Sequence, residues 1–285
     1  MNDQTMNPAR VKEIAFDPTC GVNTPEDVLL DQIGINIRRG LPQAQPYQPN
    51  SQTAIIVAGG PSLNTTQGEL VEATWKGGKI VALNGAYQWC IDRNIRPSAF
   101  VMLDAREFNT RFVETAVEGC HYLLAAQCHP RAFDLCRDRT TTIWHAMSAG
   151  EREEALLKEY YFGRCNPVTI GTTVAMRAIS LMRMLGFTRF EVFGVDSCWI
   201  GEEHHAYAQE ENNGEKRISV WLRPRDRDDK ALRFLCSPWQ AKQAEDFMLL
   251  IKERGNLFDL NVRGPGLIAS MIRMGAEIQI EEDTT

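Results

Sequence analysis

Between Thr53 and Asp196 short apolar runs alternate with longer helix-type stretches, and few architectures accommodate that rhythm. The runs are Ala54 to Ala58, Lys79 to Leu83, Ala99 to Leu103, Tyr122 to Ala126, Thr141 to His145 and Arg189 to Val195. Each is the length of a strand buried on both faces. The intervening stretches predict helices from Ser62 to about Trp75, Ala86 to Arg93, Phe108 to Glu118, Glu151 to Tyr161 and Thr172 to Leu185. In the last of these, Val174, Ala178, Leu181 and Leu185 share one face and Gly186 supplies the stop. Strands alternating with helices imply an α/β fold: a mostly parallel sheet, right-handed crossovers and helices on both faces. In such a sheet ligands bind beyond the carboxyl ends of the strands, which is where chemistry is to be sought.

The flanks are less regular. Residues 1–50 read as a peripheral segment, with a helix over Pro25 to Arg39 capped by Thr24 and ending near Gly40, then a proline- and glutamine-rich connector from Leu41 to Ser51. Residues 51–207 form the core, and 208–285 are expected to complete the same domain. Within that extension the charged stretch Arg223 to Lys230 reads as a loop between two short strands. Ser237 to Arg254 reads as a final helix, with Pro238 in its first turn. With 44% apolar and 24% charged residues the 285-residue chain has an ordinary globular composition. A net charge of −6 argues against a protein that coats nucleic acid, although a nucleic acid remains open as a substrate. No apolar run reaches the length of a membrane span, and Met1 to Glu13 lack the apolar centre of a signal peptide, so a cytoplasmic protein is expected. The eight cysteines show no Cys-x-x-Cys pair, and Cys128 and Cys136 around His129 fit no common zinc module; they read as reduced, buried thiols.

Three clusters fall at strand ends, where a parallel sheet presents its ligands, and a helix start and a loop add two more candidates. The turn Gly59-Gly60-Pro61-Ser62 follows the first core strand; it lets backbone N–H groups approach an anion and leads into a helix N-terminus. It is neither a Walker loop nor a G-x-G-x-x-G turn, and the bland alternative is a plain strand-to-helix connection. Asn84, before Gly85, can hold a base, ribose or phosphate, or cap the next helix. Asp104 and Asp196 each end an apolar strand, where a carboxylate is costly without a partner; they are expected to lie together, holding Mg²⁺ or acting as a base, or else to cap helices. Gly171-Thr172-Thr173 opens the best helix and offers a second anion site, against the alternative of N-capping by Thr172. His204-His205-Ala206-Tyr207 follows Asp196 after a seven-residue loop that can cross to the edge carrying Ser62 and Asn84. Adjacent side chains point apart, so at most one of the two histidines acts in proton transfer, against the commoner alternative of ordinary surface residues.

Taken in order, Ala58-Gly59-Gly60-Pro61-Ser62-Leu63, Ala82-Leu83-Asn84, Leu103-Asp104, Gly171-Thr172-Thr173-Val174-Ala175, Leu185-Gly186-Phe187, Gly194-Val195-Asp196 and His204-His205-Ala206 resemble the MptE-like family. That family is named for an archaeal 6-hydroxymethylpterin diphosphokinase. More distantly the series is similar to motility accessory factors and CMP-sialic-acid-dependent sialyltransferases. The resemblance spans about residues 53–207. It implies a Rossmann-like core with a nucleotide at Gly59, Gly60, Pro61, Ser62 and Leu63, touched also by Asn84 and Asp104 and by Gly171, Thr172 and Thr173.

By likeness to the sialyltransferases, His205 or His204 deprotonates an acceptor hydroxyl, with Asp196 nearby, while N–H groups from Gly60 to Leu63 hold the leaving phosphate. The expectation is a transferase with a nucleotide-activated donor, foremost a nucleotide-sugar-dependent glycosyltransferase. Its acceptor is left open among a glycan, a protein, a heterocycle and a modified DNA base. The alternatives are a Mg²⁺-dependent diphosphokinase, in which Asp104 and Asp196 place the metal, and a non-catalytic nucleotide-binding module. Under the nucleotide reading, Gly60→Val is expected to weaken binding without unfolding the chain.

Overall fold

The structure is a computed structural model that describes residues 24–209, 214–222, 231–275 and 278–280. The strands are β1 (Asn50–Val57), β2 (Lys79–Leu83), β3 (Ala99–Met102), β4 (His121–Ala125), β5 (Thr141–Trp144), β6 (Phe187–Phe193), β7 (Ile218–Leu222), β8 (Leu232–Cys236), β9 (Asp259–Val262) and β10 (Ile278–Ile280). Seven of them form one sheet in the order β5-β4-β3-β2-β1-β6-β9, and every pairing in it is parallel. Ile56 stands between Val81 and Val192, and Ile55, Ile56 and Val57 have no solvent exposure, as expected of a central strand covered on both faces. The six strands expected from Thr53 to Asp196 are all present, shifted at most by a few residues.

Helices surround the sheet. They are α1 (Glu26–Ile37), α2 (Leu63–Trp75), α3 (Ala86–Asp92), α4 (Pro130–Leu135), α5 (Gly150–Tyr161), α6 (Val174–Met184), α7 (Pro238–Arg254) and α8 (Leu267–Met274). α2 packs on β1 and β6, while α6 crosses β1, β2 and β3, so the N-termini of both helices meet the carboxyl edge of the sheet. No described helix is long and apolar enough to cross a membrane.

Several local expectations need correction. Thr24 does not cap α1: the N-cap position is Pro25, whose carbonyl accepts from Leu29, and no side chain caps that end. The helix expected over Phe108 to Glu118 is a short 3₁₀ segment, Glu107–Val113, in which the polar Asn109 and Thr110 are buried. Such side chains compete for backbone groups and disfavour a regular α-helix. α6 begins at Val174 rather than Thr172, because Thr173 is still extended. The helix ending at Arg254 is not the last element: β9, α8 and β10 follow, and β9 extends the main sheet beside β6. The stretch Arg223 to Lys230 lies outside the described residues; the strands it joins, β7 and β8, pair antiparallel and with β10 make a second, three-stranded sheet.

That small sheet steers the chain after β6. The Trp199 N–H donates to the Leu235 carbonyl at 2.7 Å, and the Arg217 guanidinium lies 3.9 Å from the centre of the Trp199 ring. The loop carrying the two histidines therefore starts from a fixed point.

Candidate functional site

The Gly-Gly-Pro-Ser turn has the shape expected of it, but the donors that follow Gly59 are occupied. The Gly60 N–H goes to the Gly194 carbonyl at 2.8 Å, Pro61 has none, Ser62 donates to Asp196 Oδ2 at 2.8 Å and Leu63 to the Gly60 carbonyl at 3.2 Å. A carboxylate at a helix N-terminus is favourable, and Asp196 takes the position an external anion would need at α2. It is 2% exposed and closed in from below by the segment after β9, where side chains on Gly264 or Gly266 would run into Ser62 and Asp196. Burial pushes the Asp196 carboxyl up from its ordinary value, with hydrogen bonds from Ser62 opposing. A Cβ on Gly60 would meet Asp196 Oδ2 and lie 2.6 Å from the Gly194 carbonyl oxygen. The expectation that Gly60→Val spares the fold is therefore corrected: the glycine is required by packing within the protein.

The histidine loop crosses to the same edge, where it was expected. The Ala206 N–H donates to the Gly59 carbonyl at 2.9 Å, and Asn64 Nδ2 donates to the Ala206 carbonyl at 3.2 Å. The rings of His205 and Tyr207 lie over Gly59, where a Cβ would approach them to 2.8 Å and 2.5 Å, and Tyr207 covers Gly85 as well. The two histidines differ in environment. His204 is buried between Trp199, at 4.6 Å between ring centres, and His205, at 4.7 Å. His205 is half-buried and lines a small cleft with Gly59, Gly60, Thr173 and Val174.

Beside that cleft, and sharing Thr173 and Val174 with it, lies a larger one of about 370 Å³. One wall is the start of α6. Thr173 occupies the N-cap position without a side-chain cap bond, Gly171 takes a left-handed φ of 107°, and the N–H groups of Val174, Ala175 and Met176 have no protein acceptor among the described residues. The hydroxyls of Thr172 and Thr173 are turned to α7 instead: Thr172 donates to Asp246 at 2.9 Å and Gln243 donates to Thr173 at 3.1 Å. The Thr172 capping alternative thus fails. Arg177, one turn into α6, lines the cleft and donates to the Val168 carbonyl. Burial lowers its pKa while the Glu153 carboxylate opposes, and an arginine so placed stays charged.

The opposite wall is formed by residues just beyond β2, β3 and β4. Asn84 has a left-handed φ of 45°, does not cap α3, and its Oδ1 is buried without a partner. Asp104 is gripped by Arg106, whose backbone N–H and Nε both reach Oδ1 at 3.0 Å while Nη2 reaches Oδ2 at 2.6 Å. Burial pushes its carboxyl up, but these hydrogen bonds outweigh burial and hold it below the usual range. Gln127 donates to the Leu103 carbonyl at 2.9 Å, and its Oε1 is buried without a partner.

The two carboxylates do not come together. Asp104 follows β3 and Asp196 follows β6, with β2 and β1 between, so they stand about 14 Å apart at the usual interstrand spacing. One ion cannot bridge them; Arg106 engages both oxygens of Asp104, while Ser62 engages Asp196 through Oδ2 and its Oδ1 is buried without a partner. No group of three metal-ligating side chains occurs among the described residues. The sequence reading missed Arg177 and Gln127. Arg177 lies four residues after Thr173 and so on its face of the helix; Gln127 follows an apolar run just as Asp104 does.

The profile of the MptE-like family, described as 6-hydroxymethylpterin diphosphokinase MptE-like, matches residues 32–202. No curated protein matches the sequence. Among solved structures, the Maf glycosyltransferase from Magnetospirillum magneticum AMB-1 is similar, with a TM-score of 0.64 at 14% identity. The alignment covers 86% of this chain and 38% of that one, so this chain spans well under half of its length. At that identity the likeness establishes the shared α/β fold.

Proposed function

The chain belongs to the MptE-like family, and on that premise we propose that it is a transferase that takes a nucleotide-activated donor and passes a glycosyl group to a hydroxyl acceptor. The observation that carries this reading is the adjacency of an open, cationic helix N-terminus and a histidine on one sheet edge. Thr173 and Val174 border both the cleft holding Arg177 and the cleft holding His205. In the proposed reaction His205 takes the proton of the acceptor hydroxyl as its oxygen attacks the activated carbon. The bond from that carbon to the phosphate oxygen breaks, and the nucleotide leaves with the electron pair. Arg177 and the N–H groups of Val174 and Ala175 meet the charge that grows on the phosphate. This moves the phosphate from Gly60–Leu63 to α6. His204, held against Trp199, positions His205. The similar Maf structure, named as a glycosyltransferase, supports the fold side of this reading.

A diphosphokinase that grips Mg²⁺ between Asp104 and Asp196 finds no support in the geometry, since three strand spacings separate the pair. The test is donor turnover. The purified chain is incubated with CMP-, UDP- and GDP-sugars, and release of the free nucleotide is followed with and without acceptor. His205→Ala is expected to retain nucleotide binding and lose turnover by about 100-fold or more. Full turnover in a folded His205→Ala variant would remove the proposed base.

A further inference from the structure

The sheet edge carries a further cleft that the transfer chemistry above leaves unused. From β1 the chain advances to β2 and β3 in one direction and returns to β6 in the other. Right-handed crossovers therefore place α2 and α3 on one face of the sheet and α6 on the opposite face. The clefts at the start of α6 belong to the second face. On the first, between α3, the 3₁₀ segment and Tyr207, lies a separate cleft of about 540 Å³. The histidine loop joins the two faces. His205 borders the small cleft with Thr173 and Val174, whereas Tyr207, two residues on, lines the α3-side cleft. Their ring centres are 5.5 Å apart. Asn64 ties the loop to the cleft floor: its Oδ1 accepts from the Trp89 indole N–H at 3.1 Å and its Nδ2 donates to the Ala206 carbonyl at 3.2 Å.

The lining combines aromatic rings, Trp89, Phe112 and Tyr207, with two exposed carboxylates, Asp92 and Glu114. Gln88 Nε2 donates to Asp92 Oδ1 at 2.7 Å. Among the described lining residues the one cation is Arg111, whose guanidinium rests 5.2 Å from the centre of the Phe112 ring and 5.3 Å from that of Phe108. Carboxylates thus outnumber cations. A sugar ring has C–H faces that rest on aromatic rings and a hydroxylated rim that donates to carboxylates. The excess negative charge disfavours a phosphate, an acidic sugar or a nucleic-acid backbone. We propose that this cleft is the acceptor subsite and takes a neutral sugar ring at the end of a glycan. A ring resting against Tyr207 brings a hydroxyl past it to His205. The hydroxyl gives its proton to His205 and its oxygen bonds to the glycosyl carbon as the nucleotide leaves with the electron pair. The inference rests on the transferase reading above and adds the face by which the acceptor enters and its chemical class.

Saturation-transfer NMR titrations of the whole chain test it, with lactose, cellobiose and chitobiose as neutral probes and glucuronic acid and glucose 6-phosphate as acidic ones. Binding of CMP, UDP and GDP is followed in parallel. At least one neutral sugar is expected to bind about fivefold or more tightly than either acidic one. Asp92→Asn combined with Glu114→Gln is expected to weaken that sugar about fivefold or more and to narrow the difference from the acidic probes. Its melting temperature should match the parent's, because both side chains are exposed. If that variant does not fold, Ala208→Trp, at an exposed position of the same lining, is expected to abolish sugar binding. No binding of any neutral sugar to a chain that binds nucleotide overturns the inference and leaves the donor reading in place. Acidic sugars binding as tightly overturns the class, and sugar binding that neither variant disturbs overturns the site. Sugar binding without binding of any nucleotide overturns the donor reading and the acceptor role with it.

Discussion

The N-termini of α2 and α6 reach the same edge of the same sheet, both after glycine-containing turns, yet one is closed and the other open. At α2 the Gly60, Ser62 and Leu63 N–H groups all have acceptors within the protein, and a buried carboxylate sits where an anion would bind. At α6 the first N–H groups have no protein acceptor among the described residues, and Arg177 adds positive charge. A glycine-rich turn before a helix thus shows that an anion site is sterically feasible. Whether it is vacant depends on what the rest of the chain brings to it. Here α2 carries its own anion, Asp196, and serves as an anchor for the β6 edge.

The comparison can be broken in several ways. The largest effect is expected from Gly60→Val, whose new side chain would meet Asp196 and the Gly194 carbonyl. Backbone and a buried carboxylate cannot give way, so a loss of about 3 kcal/mol or more is expected. The melting temperature should fall by about 5 °C or more, or the protein should become insoluble. A folded Gly60→Val protein with normal stability and weakened nucleotide affinity would restore the α2 turn as the ligand site.

Next in size is Arg177→Gln. Hydrogen bonds to a charged group contribute about 1.5–3 kcal/mol, so nucleotide affinity should drop roughly 10- to 100-fold while the melting curve stays close to that of the parent. Titration calorimetry reads this directly. Unchanged affinity would mean that the open helix end is not where the phosphate goes.

Asp196→Asn should show a smaller change of the opposite kind. The folded-state pKa of Asp196 is raised by burial, so the stabilising, protonated form is fully present below the unfolded value and is lost as pH rises through the folded one. At neutral pH the ionised side chain is therefore a net cost relative to a neutral acceptor. The variant should melt at the parent's temperature or a few degrees above it, a gain of about 1 kcal/mol at most, with the difference shrinking as pH is lowered toward 4. Asp196 lines the small cleft beside His205, but the phosphate is assigned to α6, so nucleotide affinity should stay within about twofold. A tenfold loss of affinity would place Asp196 in the ligand site and erase the contrast between the two helices.

The smallest effect belongs to the Asp104–Arg106 pair. Its carboxyl is held below the ordinary value, so its contribution is present above the unfolded pKa and lost as pH falls through the folded one. Arg106 is 34% exposed in its side chain, and solvent screens the pair. Arg106→Gln should cost about 0.5 kcal/mol near neutral pH, and the cost should fade as the carboxyl protonates in acid, measured by urea unfolding across pH. A loss that persists unchanged at low pH would show that Arg106 acts through packing on Phe108 rather than through charge.

Much of the fold is legible in the sequence because each core strand is apolar throughout and each is punctuated by a polar residue or glycine. β2, Lys79–Leu83, is read to the residue. Where local preference was weak the reading failed. Asp259–Val262 alternates polar and apolar residues over only four positions, and only its pairing with β6 makes it a strand. The same division runs through the site. Asn84, Asp104, Asp196 and Gly171 stand at strand ends or helix starts, so topology alone brought them to one edge. Gln127 obeys the same rule, but only the fold shows its Nε2 tied to the Leu103 carbonyl and its Oε1 left buried without a partner.

By itself the sequence determined the order of the core strands from Thr53 to Asp196, the edge at which their polar ends gather and the reach of the histidine loop to that edge. These follow from hydrophobic period and from parallel connectivity, which act within tens of residues. Only the tertiary structure decided which helix N-terminus is left open. Asp196 caps Ser62 from 134 positions away, and Gly264 and Gly266 close over it from the far end of the chain. The free energy of a backbone N–H depends on whether an acceptor lies within about 3 Å, and contacts of that range are set by the folded chain as a whole.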